Sequence, residues 1–63
     1  MTVTHKGDTY NFEFLTNGIA RTFDYGAKWD ITFKHENGKW VPHNSQAHMQ
    51  GYSGLADKLN RLS

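Results

Sequence analysis

The residues of this chain best suited to bind a metal ion are its histidines. His35, His43 and His48 fall within fourteen residues, and His5 can join them if the first strand pairs nearby. Imidazole is the commonest side-chain ligand for metal ions and suits Zn²⁺. The spacing, however, matches no zinc-binding signature, and no HExxH pattern occurs. We therefore expect surface histidines and no cofactor, and a histidine metal site is the weakest of the functional alternatives.

The carboxylates give little support for catalysis. The six acidic residues fall mostly at predicted turns or at outward strand positions, where turn formation and hydration explain them. One acid–base pair, His35 with Asp30, is conceivable across neighbouring strands. A chain of 63 residues has little material to enclose a substrate, because a ligand site must bury most of the ligand's surface. We predict that the protein is not an enzyme and has no catalytic residues.

Basic and aromatic residues alternate at two places, which is the pattern of a single-stranded nucleic-acid site. Lys28 precedes Trp29 and Lys39 precedes Trp40, and stacking aromatics flanked by positive charge hold single strands in small β-domains. The net charge is only +1, from seven basic and six acidic residues. Strong phosphate binding normally needs a larger basic excess. Nucleic-acid binding by stacking at a mildly basic rim is therefore the alternative function.

Several large side chains are not needed by the predicted core, and they either bind a protein or seal the end of a barrel or the seat of the helix. Tyr and Trp are enriched in the anchors of protein interfaces. We predict a small non-catalytic module that acts by contact with a larger protein partner. From size alone, it is expected to be a phage-type or mobile-element inhibitor or regulator of a host protein. The predicted protein-binding residues are three anchors, Tyr25, Trp40 and Tyr52, and three steering cations, Arg21, Lys34 and Lys39.

These side chains must be positioned by strands, since most of the chain alternates between apolar and polar residues. Two Asn-Gly pairs, at 17–18 and 37–38, indicate tight hairpin turns. Near the C-terminus, three leucines recur at helical spacing after a possible cap at Ser53. The predicted elements are strands over 2–5, 10–14, 19–23, 28–34 and 40–41 and a helix bearing Leu55, Leu59 and Leu62.

The same alternation predicts which side chains are buried. Strand 19–23 is irregular, because Arg21 shares the face of Ile19 and Phe23; an inward Arg suggests an edge strand, a bulge or a side chain reaching past the rim. Pro42 confines the last strand to an edge. The predicted apolar face consists of Tyr10, Phe12, Phe14, Ile19, Phe23, Trp29, Ile31 and Phe33, covered by the three leucines.

Together these patterns predict an α+β fold. We expect an antiparallel β-meander of four or five strands over about 2–42, as an open sheet or an SH3-like or OB-like barrel, followed by a loop and short helix over about 44–62. Residues 1–63 form a single domain. No apolar run is long enough to cross a membrane, and the absence of cysteine suits a reducing compartment. We expect a cytoplasmic monomer or homodimer.

Overall fold

The chain folds into two antiparallel sheets and one helix. A computed structural model describes residues 1–62, and strand neighbours follow chain order, as β1-β2 and as β3-β4-β5-β6. This confirms the predicted α+β meander with a C-terminal helix, and the sheets do not close into a barrel. The elements are β1 (Thr2–His5), β2 (Asp8–Asn11), β3 (Glu13–Phe14), β4 (Ile19–Asp24), β5 (Trp29–Glu36), β6 (Lys39–Pro42), 3-10 turns at Gln46–His48 and Gln50–Tyr52, and α1 (Leu55–Leu62).

Two of the hairpins close through two-residue turns. Lys6 and Gly7 have φ of 52° and 83°, and Asn37 and Gly38 have φ of 52° and 84°. Two consecutive positive φ values are the mark of the type I′ turn, whose twist matches that of the flanking strands. The Asn-Gly pair at 37–38 was an explicit signal for this turn, and it fixes the register of β5 and β6.

The predicted strand over 10–14 is interrupted at Phe12. The chain pairs with β1 up to Asn11 and with β4 from Glu13 onwards, so it changes sheets at this residue. The Phe12 N–H donates to the carbonyl of Met1 over 2.7 Å, and its ring is buried. Phe14, expected in the core, is 45% exposed and lies beyond the residue at which the chain changes sheets.

The face of β4 that packs inward is the reverse of the one predicted. Ala20 lies opposite Phe33 and Thr22 lies opposite Ile31 in the register with β5. The large β5 side chains fill the space between the sheets and leave room only for small residues on β4. Arg21 and Phe23 consequently face solvent. β4 is also an interior strand, so the interpretation of Arg21 as an inward residue of an edge strand is wrong.

We call the side of the four-stranded sheet that carries Ala20, Thr22, Ile31 and Phe33 the inner face, and the opposite side the outer face. The inner face packs against the β1–β2 hairpin, the loop at 46–54 and α1. Leu55 and Leu59 are fully buried there, whereas Leu62 is 56% exposed. The buried apolar cluster consists of Val3, Tyr10, Phe12, Ala20, Ile31, Phe33, Ala47, Tyr52, Leu55 and Leu59.

Two asparagine side chains form hydrogen bonds with backbone groups of the sheet that have no neighbouring strand to pair with. The Asn60 amide accepts from the Trp40 N–H over 2.7 Å and donates to the Trp40 carbonyl over 3.0 Å, which satisfies the edge of β6. Where β6 leaves the sheet, the Asn44 amide accepts from the Thr32 N–H and donates to the Asp30 carbonyl. A backbone group left unpaired away from water is costly, so these amides complete the sheet.

Candidate functional site

Two exposed aromatic residues form a pair at one end of the outer face. Phe23 is 38% exposed and Tyr25 is 83% exposed. Their ring centroids are 4.8 Å apart and the rings are inclined by 72°, an edge-to-face arrangement. Phe23 reaches this face because Ala20 and Thr22 occupy the inner one. We call Phe23 and Tyr25 the aromatic pair.

The turn that carries Tyr25 is held by the carboxylate of Asp24. One carboxylate oxygen accepts from the Gly26 N–H over 2.9 Å and from the Ala27 N–H over 3.2 Å. The Lys28 N–H donates to the Asp24 carbonyl over 2.6 Å, and Lys28 itself has φ of 64°. An ordered turn presents Tyr25 in one place, which reduces the entropy lost when that side chain is immobilised by a ligand.

Two basic residues of the outer face are paired with carboxylates. Arg21 donates to the carboxylate of Glu13 on β3, and the Lys34 ammonium lies 3.6 Å from a carboxylate oxygen of Glu36. Lys39 is the register partner of Glu36 across the β5–β6 turn. The outer face therefore has no uninterrupted basic stripe among the described residues.

An open groove runs along the outer face beside Phe23. β3 pairs with β4 only at Ala20 and Arg21, so Phe23 has no register partner on that side of its strand. The resulting gap has a volume of about 560 Å³, and Asn11 and Asp30 contribute to its walls. An extended segment of a partner can approach both the Phe23 ring and the unpaired strand edge here.

The structure separates the six predicted binding residues into three environments. By strand alternation Arg21, Lys34 and Lys39 belong to the outer face, with Tyr25 at its end. Trp40 lies on the inner side of β6, half-buried, with its ring 5.5 Å from Phe14 and 4.9 Å from His35. It is thus directed away from the surface that carries Tyr25.

Tyr52, the third predicted anchor, is buried in the folded chain and does not lie on the surface that carries Tyr25. It is 8% exposed, and its ring meets Tyr10 edge-to-face at 6.3 Å. Its hydroxyl accepts from the Trp29 indole N–H over 2.8 Å and donates to the Asp24 carboxylate over 2.5 Å. This hydrogen bond is the main reason why the pKa of Asp24 is lowered, and burial followed by the same bond raises the pKa of Tyr52.

Phe23, Glu13 and Glu36 were not among the predicted functional residues. Phe23 had been assigned to the core on its hydrophobicity. The sequence does contain a signal for the exposure of Phe23, because Ile19, Arg21 and Phe23 lie on the same face of the strand. A charged residue such as Arg21 is more easily accommodated if that whole face is exposed than if it is buried. The pairing of Arg21 with Glu13 depends on the β3–β4 register, which single-strand patterns do not specify.

The histidines do not gather at one place. Within residues 1–62, no group of three or more His, Cys, Asp or Glu side chains is arranged so that it could hold a metal ion. His5 is buried beneath the 50–54 loop, the His35 ring meets the Trp40 ring edge-to-face, and the His43 ring lies 3.1 Å from the Thr32 hydroxyl. In the same part of the chain, no helix is both long and apolar enough to cross a membrane.

Comparisons of the chain with protein-family models, with curated proteins and with solved structures give no match.

Proposed function

We propose that the protein is a small non-catalytic binding module that docks a larger protein through its outer face. The observation that carries the proposal is the exposed aromatic pair, Phe23 and Tyr25, on a face where Arg21 and Lys34 are each paired with a carboxylate. The module then acts by occupying a surface on its partner, as an inhibitor or regulator does.

The energetics favour the aromatic pair as the anchor. Aromatic side chains bury 150–250 Å² each at most. At about 25 cal/mol per Å², covering the exposed parts of Phe23 and Tyr25 stabilises a complex by a few kcal/mol. Because the Asp24 hydrogen bonds fix the turn, little further ordering is needed when Tyr25 is covered. Anchors of this kind dominate interface energies, while surrounding polar contacts mainly set orientation.

The paired charges argue for a protein partner over a polyanion. Binding to phosphates draws its affinity from cations that replace counterions. Arg21 and Lys34 are each engaged with a carboxylate on the same face, so a phosphate would have to displace Glu13 or Glu36. In a protein complex the Arg21–Glu13 pair, which lies two positions from Phe23 along β4, serves as part of a polar rim beside the aromatic pair.

The first experiment is site-specific photocrosslinking. A benzoylphenylalanine placed at Tyr25 is expected to give a discrete protein adduct in lysate of the source organism, after nuclease treatment and in about 0.5 M salt, where surface charges are screened. The matched control carries the same probe at Leu62, which is also exposed but lies on α1. The adduct is expected at position 25 and not at position 62.

Substitution within the aromatic pair tests the same surface. Tyr25→Ala should abolish binding of the partner identified by crosslinking and leave the melting temperature unchanged, because the side chain is 83% exposed. Unimpaired binding by Tyr25→Ala would contradict the proposal. So would binding of labelled single-stranded oligonucleotides that weakens steeply with salt and needs Tyr25, which would establish the nucleic-acid alternative.

A further inference from the structure

A buried imidazole lies where the β1–β2 hairpin meets the C-terminal part of the chain. His5 is 4% exposed, and neither ring nitrogen has a hydrogen-bond partner. It lies under the loop that leads into α1, so a Cβ added to Gly54 would be 3.5 Å from the ring. Buried polar atoms normally have partners, and an exception calls for an explanation.

The surroundings of His5 disfavour its charged form. Burial is the main cause of its lowered pKa, and the nearby ammonium groups of Lys58 and Lys6 add to the effect. The backbone at Gly51 and Ser53 lies close and partly opposes this lowering, although neither ring nitrogen reaches hydrogen-bond geometry with it.

Two carboxylates lie on the elements next to His5, but neither compensates an imidazolium. Asp8 is its register partner on β2, and Asp57 belongs to α1. Both side chains are exposed to solvent, and neither bonds to the ring. Protonation of His5 in the closed structure would thus place a third positive charge beside two lysines, in a site without water access or a counter-ion.

The β1–β2 hairpin, which carries His5, is the part of the fold best able to open when His5 is protonated. Strands β1 and β2 pair only with each other and form no ladder with the four-stranded sheet. The hairpin is held by the packing of Val3 and Tyr10 in the core and by a hydrogen bond from the Lys58 ammonium to the Thr4 carbonyl, at 3.1 Å. Local opening therefore breaks side-chain contacts without disrupting the main sheet.

We infer that His5 is an acid-sensitive latch, whose protonation releases the β1–β2 hairpin from the 50–54 loop and α1. With His5 neutral, the hairpin is closed over the core. Proton uptake is favoured only where the ring reaches water, so acid selects the open arrangement. Opening uncovers the apolar surface of Tyr10, Tyr52 and Leu59, which the closed molecule hides.

The direction of the pH dependence follows from linkage. The pKa of His5 is below its usual 6.5 in the closed state and rises towards that value when the ring is exposed. The latch is therefore fully closed above pH 6.5, and closure weakens as the pH falls from there towards the lowered pKa. Because only one proton is taken up, the equilibrium constant for opening changes by at most about tenfold per pH unit.

Hydrogen exchange of the full chain, read by NMR between about pH 7.5 and pH 4.5, tests the latch. After correction for intrinsic exchange rates, amides of the β1–β2 hairpin should lose protection by up to about tenfold per pH unit below 6.5. Amides of the β4–β5 ladder should keep theirs. The His5 ring should titrate below 6.5. Titration at 6.5 or above, or a loss of protection spread evenly over both sheets, would overturn the proposal.

Two variants separate titration of His5 from a general effect on packing. His5→Leu removes the titrating group and should make hairpin protection independent of pH over this range. Lys58→Gln keeps a hydrogen-bond donor but removes one charge that repels the imidazolium, so the acid-induced loss of hairpin protection should become smaller. Any other effect of this substitution on overall stability should be the same at every pH. If His5→Leu fails to fold, an undiminished acid response in Lys58→Gln together with a His5 ring that titrates at 6.5 or above would overturn the latch.

Discussion

The Tyr52 hydroxyl joins three segments that are distant in sequence. It connects the 3-10 turn at Gln50–Tyr52 to Trp29 at the start of β5 and to Asp24 at the end of β4. Asp24 also holds the turn that presents Tyr25. One buried hydroxyl therefore links the core to the candidate binding surface.

Removing this hydroxyl should weaken the fold while keeping the aromatic packing. Tyr52→Phe leaves the Trp29 indole N–H and the Asp24 carboxylate without this partner, so we expect the free energy of unfolding to fall by about 1–3 kcal/mol. Urea unfolding at neutral pH measures the change. The matched control is Tyr25→Phe, whose exposed hydroxyl should alter stability by less than about 0.5 kcal/mol. Equal effects of the two substitutions would show that the network contributes nothing.

The same contact predicts a pH dependence at acid pH. The Tyr52 hydrogen bond lowers the pKa of Asp24 below its usual 3.8 in the folded chain. The stabilisation from this carboxylate is therefore present above pH 3.8 and is lost as the pH falls through the lowered pKa. Tyr52→Phe should lose less stability than the parent between about pH 4 and pH 2. Parallel stability curves in that range would contradict this assignment.

At the scale of elements, the side chain of Asn60 decides how the sheet ends. β6 is an edge strand, and exposed strand edges invite pairing with other chains. α1 covers this edge at Trp40 by offering an amide that both donates and accepts. The helix is thus docked by polar contacts at the sheet edge as well as by the burial of Leu55 and Leu59.

Replacing Asn60 should both destabilise α1 and expose the edge. For Asn60→Ala we expect a loss of about 1–3 kcal/mol, because two partly buried hydrogen bonds to the Trp40 backbone are removed. We also expect concentration-dependent self-association, measured by analytical ultracentrifugation. Arg61→Ala, one position further along the same helix, is the control and should remain within about 0.5 kcal/mol of the parent. An unaltered Asn60→Ala protein would show that the edge is protected by other means.

Elements with a strong local signal were predictable from the sequence, whereas those that depend on pairing were not. The alternation at Trp29, Ile31 and Phe33 and the Asn-Gly turn at 37–38 correctly located β5 and the turn into β6. The orientation of β4 could not be read from its own residues, because burial of Ala20 in place of Phe23 depends on the large side chains opposite. The break at Phe12 likewise results from a change of partner strand.

The candidate site was predictable only in part for a related reason. Exposure of Tyr25 follows from its place in a turn. Tyr52 stands in a glycine- and serine-containing stretch without periodicity, so its sequence context gives no indication of burial. Its location is determined by two hydrogen-bond partners, Trp29 and Asp24, that lie 23 and 28 positions away.

At the scale of the molecule, stability depends on few buried side chains. A domain of 63 residues is expected to have a free energy of unfolding of about 3–9 kcal/mol. Leu59 is completely buried between α1 and the rest of the core, and truncating such a residue costs about 2–5 kcal/mol. A single leucine therefore contributes a large share of the free energy of unfolding.

Leu59→Ala should lower the melting temperature by more than ten degrees or leave a substantial fraction of molecules unfolded at room temperature. For a domain of this size, each kcal/mol lost lowers the melting temperature by about 4–8 °C. Circular dichroism melts report the change. Leu62→Ala, on the same helix but 56% exposed, is the control and should change the melting temperature by only a few degrees. A similar melting temperature for the two variants would indicate that α1 is not essential to the core.

The contact between Lys58 and Thr4 joins positions 54 residues apart, whereas every strand pairs with its neighbour in the chain. Contacts between distant positions require the largest loss of chain entropy, so they form late. We expect the β4–β5–β6 meander to be formed in the folding transition state and the contact between β1 and α1 to be absent from it. Weakening that contact should then accelerate unfolding and leave the folding rate nearly unchanged. The lifetime of the folded molecule would be set by the contact that joins its two ends.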